Sequence, residues 1–262
     1  MNDNNKKPVN TTADKSSERL QNVLAQRGIA SRRASAEIIK AGGVSVNGTQ
    51  VFEPGLRVNA AKDAIIVNGR KLPQTREEKR TILLYKPRGL VCSAASSQGA
   101  TVCDLLRQQI PERLIPVGRL DKDSEGLLIM SNDGELTNIL THPRYGHKKT
   151  YNVWVSGTMN KSKLDILQSR MEIDGYVIKP VKVEILKINP RENSAKLAFT
   201  LSEGRNRQIR KMCEQVELRI TSLQRVRIGP LRIGTMKPGD WRELHQNDID
   251  ALTRKAKGGT KS

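Results

Sequence analysis

Leu20, Val23 and Leu24 recur at the three-to-four-residue spacing of a buried helical face, with Ser16 or Ser17 placed to cap the helix and Arg27-Gly28 to end it. Ser31 caps a second helix, predicted over Arg32 to Ala41, with Ile38 and Ile39 on its core side and Gly42-Gly43 as its stop. The period then shortens to two. Val44 to Val51 alternates apolar and polar residues around Asn47-Gly48, a two-residue hairpin signal, and the device returns in Ile65 to Leu72 around Asn68-Gly69. Residues 16–75 are therefore expected to form a small helix–helix–hairpin unit, followed by a linker at 76–80.

From Thr81 onward strands alternate with short helices. Ile82 to Tyr85, Leu127 to Met130, Tyr151 to Val155, Val181 to Ile188 and Lys196 to Leu201 read as strands. Leu136 to Leu140, Lys161 to Arg170 and Arg207 to Val216 read as helices. Hairpin-like spacing between several strands predicts an α+β fold, with a mixed, largely antiparallel sheet over residues 81–250 and helices packed on it. Residues 1–15 lack periodicity and read as a disordered tail, and 251–262 as a basic tail.

Charge narrows the partners. The 262 residues hold 46 Lys and Arg against 27 Asp and Glu, a net charge of +19. Solubility alone needs a charge magnitude of only about 2–8, so the excess points to a polyanion, and nucleic acid fits best. Aromatic residues are 3% of the chain, too few for a surface that stacks a long single strand on many rings. No run approaches the roughly 18–20 apolar residues of a membrane span, and the start of the chain lacks the pattern of a signal peptide. Cys92, Cys103 and Cys213 form neither a disulfide framework nor a Cys-x-x-Cys pair; they read as small packing residues in a reducing cytoplasm. His142, His147 and His245 are too dispersed for a zinc set, with His147 and His245 expected at the surface, while Trp154 and Trp241 sit in apolar contexts and are expected in the core.

Three constellations bear chemistry. Arg32 and Arg33 occupy a helix's first turn, where the dipole disfavours cations by about 0.3–1 kcal/mol each; screening by solvent would make that harmless, or the two cations and the helix end together cradle a phosphate. Gly118-Arg119-Leu120-Asp121-Lys122-Asp123-Ser124-Glu125-Gly126 packs three carboxylates and an arginine between glycines ahead of an apolar strand, which fits a plain polar turn or a catalytic loop on rigid support. Glu203-Gly204-Arg205-Asn206-Arg207-Gln208-Ile209-Arg210-Lys211 sets a basic helix beside a glycine turn. On that helix Arg207 and Lys211 share one side and Arg210 another. This is either a solvated cationic face or a phosphate clamp formed by Arg205, Arg207 and Lys211.

Ser31-Arg32-Arg33-Ala34-Ser35-Ala36-Glu37, Ile38 to Gly43 and Val44 to Gly48 resemble the S4-type RNA-binding domain, which implies docking on structured RNA by shape and phosphate contacts. The whole of 17–247 resembles bacterial rRNA pseudouridine synthases of the RsuA/RluB group. It carries in order Tyr85-Lys86-Pro87-Arg88-Gly89, the Asp121 loop, Thr141-His142-Pro143-Arg144-Tyr145, Lys148-Lys149-Thr150-Tyr151, the Arg210 helix and Leu223 to Leu231. The resemblance implies that Asp121 is the catalytic aspartate, Tyr151 the active-site tyrosine and Arg210 the arginine paired with the aspartate through a bidentate contact. It further implies that Arg119 contacts the flipped nucleotide's backbone, that Lys86 and Arg88 belong to a basic RNA-contacting motif, and that His142 is structural or touches RNA.

The implied reaction turns a uridine into pseudouridine by glycosidic cleavage, base rotation and C5–C1′ bond formation, and requires no cofactor and no metal. Covalent addition by Asp121 and deprotonation of the sugar both remain open. The implied partner is ribosomal RNA or an assembling ribosomal subunit, with 23S rRNA favoured over 16S by Glu203-Gly204-Arg205-Asn206-Arg207, and the protein is expected to be a cytoplasmic monomer. A non-catalytic ribosome-assembly protein and a glycosidase pairing Asp121 with Asp123 or Glu125 stand as the alternatives.

Overall fold

The computed structural model describes residues 17–74, 78–94 and 97–258. The expected tail 1–15, linker positions 76 and 77 and the last four residues lie outside them. The chain divides into two compact units, Met1–Glu78 and Lys79–Ser262.

In the first unit, helices Leu20–Gln26 and Arg32–Lys40 pack on a four-stranded antiparallel sheet ordered Thr49–Val51, Val44–Val46, Ile65–Val67, Arg70–Lys71. Leu20, Val23, Leu24, Ile39, Val44, Ile65 and Val67 fill the space between them. Ser31 caps the second helix, its Oγ accepting from Ala34 N at 3.1 Å. Asn47 and Gly48 have φ of 51° and 82°, and Asn68 and Gly69 have 47° and 77°. Positive φ at both central residues marks the mirror-image turn that matches the strand twist. The first helix departs from expectation. It starts at Leu20, and Arg19 stands at its cap without a side-chain bond. Leu20 N and Gln21 N instead donate to the carbonyls of Leu56 and Pro54. Glu18–Arg19 pairs as a short strand with Arg57–Val58, so no capping serine is needed.

The second unit is built on a nine-stranded sheet. Its main order runs Lys182–Asn189, Ser194–Leu201, Lys149–Ser156, Arg219–Ile228, Glu125–Ser131, Thr81–Lys86, Trp241–Glu243. Arg219–Ile228 against Glu125–Ser131 is parallel, and the other described pairs in the sheet are antiparallel. The fold is thus the α+β class expected. Thr81–Lys86 is buried at every residue, as a central strand covered on both faces must be. Ile82 and Leu84 pack with Val102, Leu106 and Met130, and Leu83 with Leu127, Ile129, Leu136 and Leu252. Farther along the sheet Val153, Val155, Leu197 and Phe199 meet helices Lys161–Gln168 and Gln208–Gln215.

The elements not legible in the pattern include helix Val102–Leu106, the ten-residue strand Arg219–Ile228, strand Trp241–Glu243 and helix Gln246–Gly258. The last takes up most of the expected basic tail; Leu252 and Thr253 are buried and Ile249 packs nearby, an apolar stripe masked by the basic residues after it. Trp154, expected in the core, lies half-buried with Lys196 Nζ 4.6 Å from its ring centroid. His147, expected at the surface, is buried, with Nε2 3.2 Å from Ile139 O. Cys213 does pack in the core, and burial pushes its thiol up to about 12.

Candidate active site

The loop from Gly118 to Gly126 presents Asp121 on a tight turn closed by Ser124 N donating to Asp121 O at 3.1 Å. Three successive loop carbonyls are held from one side by the Lys86-Pro87-Arg88-Gly89 segment. Gly89 N donates to Lys122 O at 2.7 Å, Arg88 Nε to Asp123 O at 3.2 Å, and Lys86 Nζ to Ser124 O at 2.7 Å. Lys86 also donates to Pro87 O and is fully buried. Burial lowers its pKa, against the pull of Cys92, Asp123, Asp121 and Glu125. The expectation that Lys86 touches RNA is therefore corrected. An ammonium enclosed among carbonyls holds the loop in place and cannot reach a phosphate. Arg88 is exposed, but its Nη2 is committed to Thr221 O at 3.0 Å.

Two arginines face the two aspartates of this loop. Arg210 Nη2 lies 3.0 Å from Asp123 Oδ2 and 3.2 Å from Ser124 Oγ, while its Nε is 3.8 Å from Asp121 Oδ2. That Nε is buried and makes no hydrogen bond among the described residues. The expected bidentate Arg210–Asp121 contact is not formed, because Asp123 and Ser124 hold the other end of the guanidinium. Asp123, which the sequence offers only as the second carboxylate of a glycosidase pair, is the nearer partner. Arg207 Nη1 spans both carboxylates, at 3.7 Å from Asp121 and 3.6 Å from Asp123. Arg207 was expected on the helix beside Lys211; it is instead the residue before the helix, with φ 51° and ψ 30°. A left-handed non-glycine residue costs on the order of 1–3 kcal/mol, and here it turns the side chain toward the aspartates. Lys211 points away and pairs with Asp174.

Tyr151 extends from strand Lys149–Ser156 into the same cleft, of about 90 Å³, lined also by Asp121, Ser124, Leu201, Arg205 and Arg210. The guanidinium carbon of Arg225, from the neighbouring strand, lies 6.0 Å from the Tyr151 ring centroid. The three residues the resemblance assigned to catalysis thus meet in one place. At the rim, Arg205 is stacked on Tyr176 at 3.6 Å, and Arg119 is exposed beside His142 in an adjoining cavity. His142 Nδ1 accepts from Arg144 N at 3.2 Å. In the first unit Arg32 and Arg33 are exposed at the start of their helix. No group of three or more His, Cys, Asp or Glu that could hold a metal occurs among the described residues.

Asp123 enters the sequence reading only as the partner of Asp121 in the glycosidase alternative, and Ser124, Lys149 and Arg225 are given no site role there. Asp123 and Ser124 were signalled by their closeness to Asp121. Arg225 lies in the matching Leu223 to Leu231 segment, but only the strand pairing shows that it stands beside Tyr151. Lys149 is lowered to about 8, first by burial and then by Arg225. A lysine with a depressed folded-state pKa binds fewer protons than the unfolded chain between about 8 and 10.5, so its contribution makes stability rise with pH across that window. Urea midpoints of wild type should therefore gain on those of Lys149→Met from pH 8 to 10; parallel curves would mean the ammonium is fully hydrated.

Residues 80–215 match the RNA pseudouridylate synthase family, and residues 18–71 match the S4 domain. These family matches make this cleft and sheet those of an enzyme of the pseudouridine synthase class that carries a separate RNA-binding unit. The chain is 39% identical over 242 residues to ribosomal large subunit pseudouridine synthase B of Bacillus subtilis, covering 92% of this chain and 98% of that protein. It is 35% identical over 235 residues to an uncharacterized RNA pseudouridine synthase of Aquifex aeolicus, covering 89% and 93%. A crystal structure of a pseudouridylate synthase aligns with a TM-score of 0.64 at 26% identity, over 89% of this chain and 99% of that one. The chain belongs to the RNA pseudouridine synthase family. No helix among the described residues is long and apolar enough to cross a membrane.

Proposed function

We propose that this protein isomerises a uridine of large-subunit ribosomal RNA to pseudouridine, with Asp121 as the catalytic carboxylate. The observation that carries the reading is the meeting of Asp121 with Tyr151, Arg207 and Arg210 in one cleft; the 39% identity to a large-subunit enzyme supports the choice of RNA. Extruding the target nucleotide costs a few kcal/mol. The N1–C1′ bond then breaks, the uracil turns, and C5 joins C1′; the C5 hydrogen leaves to solvent and N1 takes up a proton, so the change is redox-neutral. Positive charge developing at C1′ favours an ionised carboxylate beside it. Arg210 and Arg207 orient that carboxylate, and the ring of Tyr151 packs against the turning base. Arg119 and Arg205 at the rim, and Arg32 and Arg33 in the first unit, engage phosphates.

The test is tritium release from 23S and 16S transcripts labelled at uridine C5. Release from 23S is the expected result. Release from 16S alone would move the substrate to the small subunit, and free uracil among the products would make the enzyme a glycosidase. The reading includes a cytoplasmic monomer that uses its first unit for site choice. Removal of residues 1–78 should weaken rRNA binding by at least about tenfold and spread modification over other uridines. Unchanged affinity and site choice would take that role away from the S4 unit.

A further inference from the structure

Beside the Asp121 cleft lies a second cavity, of about 230 Å³, lined by Arg119, His142, Lys149, Glu203 and Arg225 among others. The two cavities share Glu203 and Gly204 as a wall, and Lys149 precedes Tyr151 by two residues on one strand, so both side chains stand on the same face. Two of the lining cations are in an unusual position. Arg225 is buried, and its guanidinium donates to backbone carbonyls, Nε to Leu127 O at 2.6 Å and Nη1 to Arg119 O at 3.4 Å. Lys149 Nζ donates to His147 O at 3.3 Å. Among the described residues, neither is in an ion pair with a carboxylate.

The charged groups around Lys149 do not compensate it. Arg225 on the neighbouring strand repels it, and Arg119 adds a further cation at the cavity. Glu203 is the acidic group in the lining, but its Oε1 already accepts from Lys179 N at 3.0 Å and lies 3.5 Å from Gln208 Nε2. His142 and His147 complete the ionisable lining. Two like charges drawn partly out of water beside a cavity without a free carboxylate are unfavourable, and an anion entering it would offset that cost.

We propose that Lys149, reached through this cavity and backed by the buried guanidinium of Arg225, seats one backbone phosphate of the substrate RNA next to the flipped uridine. The proposal rests on the reading of the Asp121 cleft as the uridine site. The phosphate's charge would satisfy both cations at once and set the nucleotide's register against Asp121 and Tyr151, a contact that positions without reading sequence. Lys149 is in this sense a positioning residue.

A cycle between protein and RNA tests it. Full-length wild type, Lys149→Met and Lys149→Arg are titrated by fluorescence anisotropy with the rRNA stem-loop that wild type binds most tightly, and with copies of it carrying a single neutral methylphosphonate at each loop linkage in turn. The expected result is one linkage whose neutralisation weakens wild type about tenfold. Lys149→Met should lose a similar factor on the natural RNA and be indifferent to that same linkage, while Lys149→Arg should keep both affinity and sensitivity. Losses that multiply at every linkage overturn the proposal, as does a Lys149→Arg protein no better than Lys149→Met. A site for free phosphate would leave all linkages equivalent in wild type, which also overturns it. Because the RNA is chosen by binding, the cycle reads out even where no pseudouridine forms, a result that would instead count against the isomerase reading.

Discussion

Asp121→Asn is expected to abolish tritium release from rRNA while leaving the protein folded and RNA-bound. Asparagine keeps the size of the side chain and removes the charge. The loop is held through the carbonyls of Lys122, Asp123 and Ser124, none of which the substitution touches. The ion pairs lost are long and partly exposed, at 3.7 and 3.8 Å, so stability should change by less than about 1 kcal/mol. The rate should fall by at least on the order of 10³-fold, about 4 kcal/mol of transition-state stabilisation. Asp123→Asn is the informative companion. It releases Arg210 from its 3.0 Å partner and should cost closer to tenfold, through a less well-placed guanidinium. Single-turnover rates with saturating enzyme separate the two variants; if Asp123→Asn proved the more damaging, the two aspartates would have to exchange roles.

Gly126→Ala should be the most destabilising small substitution near the site. Gly126 has φ +105°, and a Cβ there would fall 2.3 Å from Arg225 O and 2.7 Å from Arg225 N. These are backbone atoms in the sheet's parallel pairing, so no side chain can rotate aside. Strain and clash together should cost about 3–5 kcal/mol and lower the melting temperature by roughly 10 °C. Parting these strands would also draw the Asp121 loop away from the strand that carries Arg225. Gly118→Ala is the control. Its φ is +81°, but the nearest atom to an added Cβ is a Thr141 methyl at 4.0 Å, which leaves a backbone cost of about 1 kcal/mol. Thermal melts that place the two variants together would mean the strand junction is soft.

Elements governed by local rules are legible in the order of residues. The two Asn-Gly turns, the Ser31 cap and the buried run at Thr81–Lys86 each depend on residues within a few positions of one another. Strand Arg219–Ile228 is not, because polar side chains lie on both its faces and its period-two signal is weak. Asp121, Tyr151 and Arg210 can be singled out through motifs, yet the same reading places Lys86 at the RNA. A lysine in a basic motif looks alike whether it faces water or a cage of carbonyls, and the sheet packing around it decides which.

The chain alone determined the fold class and the excess of positive charge, since these follow from periodicity and composition, and its resemblance to a family singled out Asp121, Tyr151 and Arg210. Tertiary structure decided that Asp123 takes Arg210's closest contact, that Arg207 turns back on a left-handed backbone, that Lys86 clamps a loop, and that Lys149 and Arg225 stand together with no carboxylate partner among the described residues. Each of these depends on groups far apart in sequence meeting at a few ångströms, where burial and neighbouring charge set what a side chain does.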